Sequence, residues 1–324
     1  MLCVMVIQEI SIEEINLGDE RFRISEDLDS APVLESLREI GQLNPVLVLD
    51  GGARKIIVCG FRRIRALREL GIAQVSVRIL PGQSPDPVRA YRMALWDNLA
   101  VRQLNPLEKA RFLYGLQKNF SVADDTLTKV YLPLLGLNPA ENVLDSYLRL
   151  HAIGPALRKC LLDCRLTLGS VEAVSEMPPP VQNRIASLMG KIRLSASLQR
   201  KFLGVLQDLA AVSGEELDVP VRSPEVLEII GDSRLSPFQR GEKVYQFLYN
   251  LRNPRLSRAL ARFLAKKKSL CLPGSIRISA HPFFEEPGVR VEFDAPDVER
   301  FRDLTSALEK AAHQPDLMDL FCVK

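Results

Sequence analysis

Apolar positions in the first hundred residues change period several times, and each change marks an element. Residues 3–10 and 46–49 run or alternate through β-branched side chains, the pattern of short strands. Between them Val33, Leu34, Leu37 and Ile40 recur at helical spacing until Gly41 stops the run. Lys55-Ile56-Ile57-Val58-Cys59 reads as a buried strand ending at Gly60. Ile64, Leu67 and Leu70 then share one side of a helix from Arg62 to Leu70, closed by Gly71. Gln74 to Leu80 returns to a strand, ended by Pro81-Gly82. Strand, helix, strand, turn, strand, helix, strand is the order of an α+β unit.

Beyond the loop 82–87 a helix runs through Trp96, and Asn105-Pro106 opens another at Leu107. From there to Gly214 nearly every segment has helical period, broken at Pro133, Gly136, Pro139, Gly154-Pro155 and Pro178-Pro179-Pro180. Residues 213–224 turn to Ser, Gly, Pro and acid, as linkers do. A last helical stretch, Ser236 to Lys268, precedes alternating strands at 276–279 and 289–293 around Pro287-Gly288. A final helix spans about 296–312. The expected domains are therefore 1–104, a helical 105–214, a linker 215–235 and an α-β-β-α module 236–324.

Composition narrows this picture. With 324 residues, 47% hydrophobic and 26% charged, the chain exceeds one ordinary core and belongs with soluble globular proteins. A net charge of +3 leaves any nucleic-acid binding to local patches. No apolar run reaches the about 18 residues of a membrane span, and no basic segment precedes the apolar first residues. A cytoplasmic protein without a membrane partner is expected. Cys160 and Cys164 lie four apart on an expected helix, but His151, His281 and His313 lack zinc-type spacing from them. Buried, inert thiols are the reading.

The candidate chemistry sits at Gly60-Phe61-Arg62-Arg63. A glycine lets a polyphosphate approach the backbone, the amides of a helix N-terminus favour negative charge, and guanidinium forks match phosphate oxygens. Alone, this turn reads more readily as a solvated basic first turn. Its neighbours add weight. Gly41-Gln42-Leu43-Asn44-Pro45-Val46 followed by "KIIVCGFRRIRALRELG" resembles the ParB pattern G-x-x-Q-P, strand, G-E-R-R-x-x-A. Downstream, "WDNLAVRQLNPLEKA" resembles that family's E-N-L-Q-R-x-x-L-N-P-x-E-x-A. Over about 110 residues the chain resembles the N-terminal domain of the ParB/sulfiredoxin superfamily.

That resemblance implies CTP and Mg²⁺ as ligands, with the nucleotide closing a dimeric clamp on DNA. It implies that Gly60, Arg62 and Arg63 hold the triphosphate, with Asn44, Pro45, Asn98 and Arg102 beside it. Asp97 and Asn98 would lie near the metal. Two departures stand out. The acid of G-E-R-R is Phe61 here, which implies weak or absent hydrolysis. The arginine of E-N-L-Q-R falls at Val101, with Arg102 one position late. Sulfiredoxins carry their catalytic cysteine where Phe61 stands, and Cys59 lies two residues earlier on a strand, so sulfiredoxin chemistry is not expected.

ParB proteins continue into a helix-turn-helix. Leu127 to Leu150 has that place, with Leu135-Gly136 resembling the turn. The recognition helix, however, carries Glu141 and Asp145 and no Arg, Lys or Ser between Gly136 and Asp145. A scaffold that no longer reads bases is as good an expectation as sequence readout. Further on, Arg252, Arg255, Arg258, Arg262, Lys266, Lys267 and Lys268 form a basic run with no acid between Leu251 and Lys268. Leu256, Leu260 and Leu264 are expected to hold the opposite stripe. The following strand-strand-helix resembles the ParB C-terminal dimerisation domain, which implies a homodimer and non-specific DNA contact. The functional expectation is a nucleoid-associated, CTP-dependent DNA-binding clamp in chromosome or plasmid partition, with a partition ATPase as a further partner. An enzyme of the small-molecule kinase or nuclease type is the first alternative, and a degenerate paralogue acting as a protein-interaction adaptor is the second.

Overall fold

Strands β1 (Ile7–Ser11), β2 (Ile15–Asn16), β3 (Val46–Asp50), β4 (Lys55–Cys59) and β5 (Gln74–Leu80) form one mixed sheet in the order β1-β5-β3-β4-β2. β1 runs antiparallel to β5, and β3 runs parallel to β5 with Val46 opposite Val77. The β3–β4 hairpin shifts register between Leu47 and Val48. Helices α1 (Ala31–Ile40) and α2 (Phe61–Glu69) pack on this sheet and on each other. Alternation along β3 and β5 sends Val46, Val48, Val75 and Val77 into a core shared with Ile10, Ile15, Leu37, Ile57, Ile64 and Leu67. The structure, a computed structural model, describes residues 7–26, 29–80, 86–214, 216–217, 219–280 and 288–321. The start of the first expected strand (3–6), most of the loop 82–87 and His281 to Pro287 lie outside those residues.

The chain divides into two compact units, 1–186 and 187–324. In the first, the sheet domain leads into α3 (Pro87–Leu99) and α4 (Pro106–Lys118), then α5 (Asp124–Thr126), a π-helical turn (Leu127–Tyr131) and α6 (Leu132–Leu134). Next come α7 (Glu141–His151), α8 (Pro155–Leu162), α9 (Leu168–Ser175) and α10 (Pro179–Lys191). Asn105 caps α4 through a capping box with Glu108. An aromatic cluster of Phe22, Tyr91, Phe112 and Phe120 ties α3 and α4 to the segment after β2, with the Tyr91 and Phe112 centroids 4.7 Å apart. Gly115 makes that approach possible, because a Cβ there would stand 2.7 Å from the Tyr91 hydroxyl.

The second unit holds α11 (Ala196–Ser213), α12 (Pro224–Gly231), α13 (Pro237–Arg252), α14 (Pro254–Ser269), β6 (Ile276–Ala280), β7 (Val289–Phe293), α15 (Val298–Ala312) and α16 (Pro315–Phe321). Strands β6 and β7 pair antiparallel, as their alternation predicts. Several expectations are corrected. The stretch 215–235 contains α12, whose Val226 is fully buried. The helical stretch 236–268 is two helices, because Pro254 cannot continue the first. The buried stripe of α14 is Ala259 and Phe263, whereas Leu260 and Leu264 are 40% and 52% exposed. Cys164 lies beyond α8 with a left-handed backbone (φ 51°), so it does not share a face with buried Cys160. Cys164 and Cys271 are exposed, which corrects the reading of uniformly buried thiols.

Candidate functional site

Gly60 links β4 to α2 with φ at 101°, in the left-handed region that glycine adopts without cost. A Cβ at this position would lie 3.2 Å from a Val46 methyl and 3.4 Å from Arg63 Nη1. As N-cap of α2, Gly60 offers no side-chain acceptor to the first-turn amides. The helix therefore begins without a side-chain cap and with two arginines, the electrostatic setting of an anion site.

Arg63 folds back over the glycine. Its Nη1 donates to the backbone carbonyls of Asn44 (3.1 Å) and Pro45 (3.0 Å). Asn44 and Pro45 thus join the site through their main chain. Nε and Nη2 of Arg63 make no hydrogen bond to the described residues. Arg62 is half-buried on the same turn.

Behind the turn, the Cys59 thiol lies beside Asp97 of α3. Burial first, then the Asp97 charge, hold that thiol well above its ordinary range, with Arg63 opposing. Such a thiol stays protonated and unreactive near neutral pH. Phe61 is partly buried against the sheet core and lines a small cavity with Leu17, Ile57 and Ile64 and the charged Glu20, Arg65 and Arg68.

Asn98 and Arg102 sit in a different cluster. Asn98 Nδ2 donates to the Ala94 carbonyl at 2.8 Å, and its Oδ1 accepts from Arg102 Nη2 at 2.8 Å. Arg102 Nη1 pairs with Glu108 Oε2 at 2.6 Å, and Nη2 also donates to Ser25 Oγ at 3.1 Å. Glu108 is 2% exposed and accepts the backbone N–H groups of Asn105 and Glu26 as well. Glu26 in turn pairs with Arg111 (2.9 Å) and Arg158 (2.5 Å). Burial raises the Glu26 pKa, but hydrogen bonds and charge from the two arginines outweigh it and hold the carboxyl below its ordinary range. This ion-pair clasp joins the segment 20–26 to α4 and α8. His151 stacks on Tyr114 at 3.9 Å between centroids, beside the same arginines. Burial, then Arg111 and Arg158, depress its pKa.

Of the expected site residues, the structure brings together Gly60, Arg63, Asn44 and Pro45, with Asp97 nearby beside Cys59. It places Asn98 and Arg102 in the Glu108 cluster. For Mg²⁺ the donor set is spare: one carboxylate, Asp97, fits an ion held mainly by phosphates and water. Asn98 Oδ1 is already taken by Arg102. Among the described residues no group of three or more His, Cys, Asp or Glu could hold a metal. The clasp was not foreseen, since Arg102 and Glu108 are six residues apart with a helix cap between them.

The basic run is partly spent on internal contacts. Arg252 pairs with Asp208 (2.7 Å), Lys266 with Asp316 (2.7 Å), and Lys267 donates to the Ile278 carbonyl (2.9 Å). Arg255, Arg258, Arg262 and Lys268 remain as an exposed ridge on α14. On α7 the exposed positions include Glu141, Asn142, Asp145 and Arg149.

Comparison with known proteins finds a family similarity in the first domain. The family model described as the ParB N-terminal domain matches residues 4–99. The probable chromosome-partitioning protein ParB of Neisseria meningitidis serogroup A is 25% identical over 179 residues, covering 55% of this chain and 59% of that protein. The chromosome-partitioning protein ParB of Myxococcus xanthus is 26% identical over 180 residues, 55% of this chain and 58% of that protein. The chain thus spans less than two thirds of these curated relatives. Among solved structures, C-terminally truncated ParB from Caulobacter crescentus complexed with CTP-gamma-S is 23% identical, with a TM-score of 0.26 over 57% of this chain and 98% of that one. Over residues 4–99 the chain is similar to the ParB N-terminal domain.

Proposed function

We propose that this chain is a ParB-like, nucleotide-dependent DNA-binding protein that takes CTP with Mg²⁺ at the Gly60–Arg63 turn and works as a homodimer. The single observation that carries the reading is the left-handed Gly60 opening α2 without a side-chain cap, with Arg63 drawn over it by two carbonyls. First-turn amides and the free edge of Arg63 would take the triphosphate. Asp97 would meet the metal. Arg102 serves Glu108 instead, so the phosphate site is smaller than the family pattern implies. With Phe61 partly buried against the core and Cys59 protonated, no side chain at the turn is suited to activating water, which supports a site that binds nucleotide and cleaves it slowly or not at all.

DNA would meet the ridge Arg255, Arg258, Arg262 and Lys268, a contact to phosphates that is tolerant of sequence. The acidic exposed face of α7 favours this over base readout by the helix-turn-helix, and it equally favours an adaptor that has lost DNA binding altogether.

The test uses Trp96, the chain's single tryptophan, which is 52% exposed and adjacent to Asp97. Titration with CTP and Mg²⁺ is expected to change its fluorescence saturably, and Arg63→Ala is expected to shift the response to at least tenfold higher nucleotide. A filter-binding series in salt separates the DNA reading from the adaptor: retention that falls linearly in log salt supports the ridge, and no retention at low salt supports the adaptor.

A further inference from the structure

Gln42 occupies an unspecified position of the Gly41–Val46 motif, yet its side chain is bonded into the site's main chain. Gly41 ends α1 with φ at 72°, and the chain turns toward β3. In that turn the Gln42 amide behaves as a short piece of neighbouring strand. Its Oε1 accepts the Ser76 N–H at 2.9 Å, and its Nε2 donates to the Ser76 carbonyl at 2.7 Å. Both polar groups of one β5 residue are thereby satisfied just before β3 takes over the pairing at Val46 and Val77. The same Nε2 donates to the Asn44 carbonyl at 3.2 Å.

That carbonyl is also the acceptor for Arg63 Nη1 at 3.1 Å. Gln42 and Arg63 therefore converge on one oxygen, and the position of that oxygen is tied to β5 through Gln42. Arg63 spends Nη1 on Asn44 and Pro45, which leaves its Nε and Nη2 edge directed elsewhere. A guanidinium fork selects phosphate oxygens only when its plane is fixed, because the two parallel hydrogen bonds depend on geometry as much as on charge.

We infer that Gln42 is a positioning residue of the nucleotide site, holding the Asn44–Pro45 carbonyls so that Arg63 presents a fixed edge to phosphate. The inference rests on the nucleotide reading above. It touches no ligand itself and acts through Arg63 alone, which gives it a signature that general weakening of the fold lacks.

A double-mutant cycle on the full chain reads that signature, with CTP and Mg²⁺ affinity measured by calorimetry for the native protein, Gln42→Ala, Arg63→Ala and the double variant. Gln42→Ala is expected to weaken CTP about fivefold in the native background and less than twofold in the Arg63→Ala background. Gln42→Met, which keeps side-chain length without hydrogen bonds, serves where Gln42→Ala does not fold and is expected to match it. Equal losses in both backgrounds, or no loss in the native one, overturn the inference while leaving the nucleotide reading intact. Native protein that binds no CTP overturns the nucleotide reading and the inference together.

Discussion

Glu108 and Arg102 show how one pair can be unequal in its two halves. Glu108 is 2% exposed at its side chain, whereas Arg102 is 29% exposed. Removing Arg102 strands a buried carboxylate, while removing Glu108 frees a guanidinium that water can reach. Arg102→Met is therefore expected to lower unfolding free energy by about 3–5 kcal/mol, the cost of breaking a buried pair from one side. Glu108→Gln keeps an acceptor for Arg102 and for the Asn105 N–H, and should cost clearly less. Urea unfolding of both variants checks the order, and an equal loss would refute it. Gly115→Ala is a second single-residue case: the added methyl meets Tyr91 at 2.7 Å, and a loss of about 1–3 kcal/mol is expected from overpacking. The same pair explains why Arg102 misled the sequence reading. Its basic character and place after α3 suit a phosphate ligand, and only the fold reveals that a buried acid from α4 claims it.

Elements differ in how much of them the sequence carried. Helix α14 is the instructive one. Its basic residues at spacings of three and four announce an exposed ridge, and replacing Arg255, Arg258 and Arg262 with Ala is expected to reduce the slope of log affinity against log salt for duplex DNA by about 3, at roughly 0.9 per lost phosphate contact. An unchanged slope would place the DNA contact elsewhere. The buried side of α14 was less legible, because two apolar edges compete. Leu256, Leu260 and Leu264 form one row and Ala259 and Phe263 another, and hydropathy favours the leucines. Phe263 and Ala259 were buried instead, Phe263 packing with Leu270, Ile276 and Leu304, which left Leu260 and Leu264 at the surface. In the sheet domain the outcome was different: α1, β4, α2 and β5 were legible since glycines at 41, 60 and 71 end runs of unmistakable period. Gln42 was not, since a side chain that imitates a strand leaves no periodic trace.

For the whole molecule, two groups in the first unit set a common acid limit. The depressed pKa of His151 means that the unfolded chain binds a proton, as pH falls below about 6.5, that the folded chain still refuses. Glu26, also depressed, repeats this below its ordinary value of about 4.3. Stability is thus full near neutrality, declines from about pH 6.5 downward and declines again below about pH 4.3. Thermal melting across pH 7.5 to 3.5 is expected to show both falls, and His151→Phe, which retains the stack on Tyr114, should flatten the upper one. A melting temperature that rises on acidification would contradict this account of the clasp. Function at this scale turns on whether the ParB-like first domain holds a nucleotide. The most direct measurement is calorimetric titration of the full chain with CTP, ATP, GTP and UTP in the presence of Mg²⁺. Saturable binding that is tightest for CTP, and at least tenfold weaker in Arg63→Ala, is the predicted result; no heat of binding from any of the four at millimolar concentration would contradict it.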